Sequence, residues 1–143
     1  MRDLKLTIDE LREAIGNLVE AKRLVEKCRE SIAKGFFIGN IILDDLRDAW
    51  YQVNCCRLYT ESSVYFENYT QTAMGNINDA REMMDSLIHW GKGLTSYGGL
   101  SILIACSEAQ TNIDVVHVEL ENMLSGQVNG SELSKAAVAS IWL

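Results

Sequence analysis

The sequence predicts an all-α protein, an antiparallel four-helix bundle with a short additional C-terminal helix, folded as one domain over residues 1–143. Three observations carry that expectation. Apolar residues recur at spacings of three and four through most of the chain, which is the period of a helix with one buried face. Proline, the residue that most strongly interrupts a helix, does not occur. Apolar residues make up 48% and charged residues 23% of 143 positions, enough for one hydrophobic core and too few continuous apolar residues for a membrane span.

The first helix begins at Thr7-Ile8-Asp9-Glu10, a capping box in which hydroxyl and carboxylate satisfy orphan amides, with Leu6 and Leu11 placed as a hydrophobic staple. Leu11, Ile15, Leu18, Ala21, Val25, Cys28 and Ile32 then form a single stripe that stops at Lys34-Gly35. The opposite face carries acid-first pairs such as Glu20/Arg23 and Glu26/Arg29. After a connection over 36–40, with Asn40 as candidate cap, Leu43, Leu46, Trp50, Val53 and Cys56 or Arg57 continue a helical period to about Tyr59. A third stripe, Phe66, Tyr69, Ala73, Ile77, Ala80, Met84 and Leu87, is out of phase with the second, so a break is expected at 60–63, with 75–76 as the competing boundary.

Gly91, Gly93, Gly98 and Gly99 mark the next connection. Beyond it Ile102, Cys106, Ala109, Ile113, Val116, Leu120 and Met123 keep helical spacing over 100–124, although 116–121 also alternates at period two and is rich in valine, a strand signature. Helix is the expectation. A turn over 126–130 and a Ser131 cap should then start the short last helix through Leu133, Ala137, Ile141 and Trp142.

Charge narrows the partners. Thirteen basic against twenty acidic residues leave a net charge of -7, and the first 35 residues hold eight of the basic residues but only seven of the acidic ones. Such a field repels nucleic-acid phosphate and anionic lipid and attracts basic proteins. The first five residues show no apolar segment of a secretory signal, and the spacing of Cys28, Cys55, Cys56 and Cys106 does not suggest a disulfide framework. A cytoplasmic protein with reduced thiols is expected, Cys55 being the one placed to face water.

Chemical motifs are weak. Asp114 and His117, with Glu121 one turn on, have the spacing of metal-binding bundles, and Asp85/His89 repeat it, but both histidines project to or beyond the edge of their apolar stripes and read as surface residues. The cysteines lack C-x-x-C spacing, the Gly91-Lys92-Gly93 stretch lacks the phosphate-loop ending, and Ser62, Ser63 and Ser134 have no triad partners in view. No catalytic residue, metal or cofactor is expected.

Interaction is the function class that remains. Tyr51, Tyr65 and Trp142 project toward boundaries, where aromatic side chains anchor interfaces, and Glu67, Asp79, Glu82 and Asp85 project onto the outward side of the third helix. The expectation is a non-enzymatic interaction module, adaptor or regulator, that binds another protein with a basic or apolar face, or a second copy of itself. Two alternatives accompany it: an acidic inhibitor whose carboxylates occupy the basic channel of a nucleic-acid enzyme, and a ligand- or metal-binding bundle.

Overall fold

The computed structural model describes residues 4–34, 39–89 and 96–141, with side chains described through residue 130 except at 96–98. It is all-helical: α1 (Ile8–Ala33), α2 (Gly39–Thr60), α3 (Val64–His89) and α4 (Ser96–Ile141), with no strand among the described residues. The period-two pattern at 116–121 therefore folds as helix. Its two apolar phases separate, Val116 and Leu120 entering the core while Val118 stays exposed.

Each helix forms where local chemistry and burial agree. Thr7 caps α1: its hydroxyl accepts from the Glu10 amide at 3.1 Å, and the Glu10 carboxylate accepts from the Thr7 amide at 3.0 Å. All seven residues of the expected first stripe are buried, joined by Ala14 and Leu24. Ser63 opens α3, its hydroxyl accepting from the Phe66 amide at 3.4 Å, which fixes the break at 60–63 and leaves 75–76 inside the helix.

Three expected details are corrected. The second stripe keeps Leu46, Val53 and Cys56 but takes Ile42 and Ala49 inward in place of Leu43 and Trp50, which pack at its flank, and Thr60 closes it. In α3, Thr70 takes the inward place expected for Tyr69, because its hydroxyl is satisfied by the carbonyl of Phe66 at 2.9 Å. Asn40 lies within the first turn of α2 and is not its cap.

The largest correction is α4, a single helix of 46 residues where a turn over 126–130 and a separate final helix were expected. Gly98 and Gly99 also lie in its first turn and not in the preceding link. Glycine lowers helix stability by roughly 1 kcal/mol but blocks no hydrogen bond, so two glycines four apart do not end a helix in the way proline does.

The core is a closed ring of contacts in which α1 packs on α2 and α4, and α3 packs on α2 and α4. Residue pairings show the register. Tyr59 bonds Glu13 and Asp45 pairs with Lys27 across α1 and α2, Arg57 pairs with Glu67 across α2 and α3, Gln110 reaches Glu26 across α1 and α4, and Gln127 of α4 reaches the carbonyl of Leu6 just ahead of α1. Phe66, Leu11, Leu18, Leu46, Ile77, Ile113 and Leu120 fill the interior. No helix among the described residues is long and apolar enough to cross a membrane.

Candidate functional site

α2 and α3 position most of the residues that the sequence marks for partner binding. Tyr51 stands 60% exposed on the outer face of α2, opposite the inward Val53 and Leu46. Tyr65 is half-buried. Its ring sits edge-on to Phe66 and Tyr69, with centroids 5.4 and 5.1 Å away, so it seals the start of α3 against the core and is not a free anchor. Glu67 is likewise engaged inside the molecule: its carboxylate accepts from Arg57 Nη1 at 3.0 Å and from Gln71 Nε2 at 2.8 Å, tying α3 to α2.

Asp79, Glu82 and Asp85 are exposed on α3, as the helical projection expects. Glu82 and Asp85 share an open groove of about 380 Å³ between α2 and α3 with Asp44. Arg47 and Arg81 line the same groove, so the acidic row is broken by two guanidinium groups. Arg47 lies 3.6 Å from both Asp44 and Asp48. Trp142 lies outside the described residues.

Tyr51 keeps company on α2 that the core-facing stripe conceals. Ile41 (47% exposed) and Leu58 (56% exposed) share the outer face of α2 with Tyr51, with Asp44 and Asp48 between them. The signal was present as a second three-four spacing on the side away from the core, hidden because the stripe of Ile42, Leu46 and Val53 dominates the pattern.

The metal spacing on α4 resolves differently. His117 is not a solvated surface residue; its side chain is 19% exposed in the seam with α1. Lys22 crosses from α1, its Nζ lying 2.6 Å from Asp114 Oδ1 and 3.5 Å from His117 Nδ1, while His117 Nε2 is 3.2 Å from Glu121 Oε1. An ammonium group thus sits against both Asp114 and His117. No group of three or more His, Cys, Asp or Glu placed to hold a metal occurs among the described residues. Asp85 and His89 are both exposed.

Three thiols belong to the core. Burial pushes Cys28 and Cys56 up to about 12 and Cys106 up to about 11 from an ordinary 9.0, because a thiolate loses its hydration there. Cys55 is half-buried. Ser63 is buried as a helix cap, and Gly91-Lys92-Gly93 lies outside the described residues. A second open groove, about 480 Å³, runs between α3 and α4 with Leu100, Leu103 and Ile104 along one part and Asn76, Glu108 and Asn112 along the other. Those polar groups are used between the helices: Asn112 Nδ2 donates to Asn76 Oδ1 at 2.9 Å, and Asn76 Nδ2 to Glu108 Oε2 at 3.3 Å.

Comparison with known protein families, curated proteins and solved structures finds no match to this chain. The outward side of α2 carries Ile41, Tyr51 and Leu58 with Asp44 and Asp48 among them, beside the mixed-charge groove that α2 and α3 share.

Proposed function

We propose that this chain is an antiparallel four-helix bundle acting as a non-enzymatic interaction module, and that its outward α2 face, centred on Tyr51, engages another polypeptide. Falling residue numbers on one helix against rising ones on its neighbour support the antiparallel arrangement: Glu13 with Tyr59 and Lys27 with Asp45, Leu6 with Gln127 and Glu26 with Gln110. The observation that carries the interaction reading is the alignment of Ile41, Tyr51 and Leu58, all largely exposed, on one face of one helix. Leaving large apolar side chains in water costs on the order of 1.5–3 kcal/mol each relative to burying them, and a partner that covers them recovers much of that.

Photo-crosslinking tests it. A photoreactive residue at position 51 of the full chain should give a discrete adduct in a lysate of the source cells, and the same residue at position 79, on the outer side of α3, should give little. Equal or absent labelling at both positions would refute the reading.

A second proposal, an acidic inhibitor of a nucleic-acid enzyme, is favoured by exposed Asp79, Glu82 and Asp85 on α3. Arg47 and Arg81 beside two of them weigh against it. Its binding would fade steeply as salt rises, whereas engagement of the apolar α2 face would not.

A further inference from the structure

Along its outer face α2 carries Ile41, Asp44, Asp48, Tyr51, Cys55 and Leu58, separated by three, four, three, four and three residues. Five of the six are exposed and Cys55 is half-buried, while the core residues of α2 occupy the other side. Alternation of three and four is the seam along which two helices wind around each other. All three large exposed hydrophobics of α2 fall on it.

The row is self-complementary in one direction only. Laid antiparallel about a midpoint between Ala49 and Trp50, it sets Ile41 against Leu58 of the second copy, Asp44 against Cys55 and Asp48 against Tyr51, each pairing occurring twice by two-fold symmetry. Both ends close with apolar layers, and in the middle two tyrosine hydroxyls can donate to two carboxylates. Laid parallel, the same row would stack Asp44 on Asp44 and Asp48 on Asp48, four carboxylates in two facing layers with one Arg47 from each copy beside them. Polar layers of this kind fix register at some cost in affinity.

We propose that the outer face of α2 is a self-association surface, occupied by α2 of a second copy in this antiparallel register. This rests on the reading of that face as an interaction surface and names its partner. The seam is about 26 Å long, which puts the dimer at the small end of specific interfaces and its dissociation constant on the order of micromolar. Each chain carries a net charge of -7, so screening by salt tightens the pair.

The native Cys55 supplies the test. In the full chain, Asp44→Cys places a thiol opposite Cys55 of the second copy, whereas positions 44 and 55 of one helix lie about 16 Å apart, too far for a bridge within the chain. Mild oxidation of Asp44→Cys should yield disulfide-linked dimers that are lost when Cys55→Ser is added. Asp48→Cys and the unaltered chain should stay uncrosslinked. In sedimentation, Leu58→Arg should weaken dimerisation at least tenfold while leaving helical circular dichroism unchanged, with tenfold corresponding to about 1.4 kcal/mol.

A disulfide between two Cys55 in the unaltered chain would reveal parallel pairing and overturn the proposal. So would a monomer at up to about 100 µM, far above the expected dissociation constant. If that monomer still gave a single adduct with a different protein from position 51, the interaction module would stand and only self-association would fall.

Discussion

Tyr51 and Glu67 show how residues of similar promise part company. Both project outward on a helical wheel, yet Glu67 meets Arg57 from the neighbouring helix and becomes a tie across the α2–α3 seam, while Tyr51 remains 60% exposed. The cysteines divide in the same way, and their division is measurable. At pH 8 an alkylating reagent should modify Cys55 in the native chain, and all four thiols only in denaturant, since Cys28, Cys56 and Cys106 are held protonated by burial. Burial raises these thiols above their unfolded value of 9.0, so their contribution to stability is fully present below about pH 9 and is lost as pH climbs toward about 12. The melting temperature should therefore fall more steeply above pH 9 in the unaltered chain than in Cys28→Ala/Cys56→Ala; parallel slopes would refute the assignment. Stripe membership made the burial of these thiols legible in the sequence. The engagement of Glu67 was not, because Arg57 belongs to another helix.

Among the elements, α4 departs furthest from expectation. Gly126 and Gly130 read as punctuation, yet neither adopts a left-handed conformation and an added Cβ at either would meet nothing within 4 Å. Gln127 between them donates to the carbonyl of Leu6 at 2.8 Å, fastening this stretch to the start of the chain, and the helix runs on to Ile141. Both glycines cost helix propensity without serving a turn, so Gly126→Ala with Gly130→Ala should stabilise the fold by about 0.5–2 kcal/mol, read as a higher melting temperature and greater helicity. A drop in both would restore the turn. Gly39 is the contrasting case, since a Cβ there would come within 2.5 Å of Ile88 Cδ1 where α2 begins beside the end of α3. The start of α1 was readable from its hydroxyl cap at Thr7 and that of α3 from the change of phase between two stripes, while the cap expected at Ser131 falls inside α4. The end of α4 was not readable, because glycine alone marks a stop only when the backbone turns left-handed.

At the scale of the whole molecule, one ring of helix contacts encloses a core whose largest member is Phe66, fully buried between its neighbours. Phe66→Ala should cost about 3–5 kcal/mol in denaturant unfolding because the space it leaves is only partly refilled. Tyr51→Ala, on the outer face, should change stability by less than about 0.5 kcal/mol. If the two costs were alike, the placement of the core would be wrong. The contrast also separates the fold from its proposed work, since the second substitution removes the centre of the α2 face while leaving the helical core intact.

Periodicity, caps and composition by themselves determined that the chain is helical, how many helices precede the last connection, and nearly every inward residue of α1 and α4. Those properties depend on neighbours within one turn, and the sequence contains them in full. Which polar groups are consumed between helices, as with Lys22 at His117 and Arg57 at Glu67, and which outward faces stay uncovered, as with Ile41, Tyr51 and Leu58, was decided only when the helices packed. The physical reason is that a side chain's partner on another helix depends on rotation and register between the two, and no spacing along one helix encodes either.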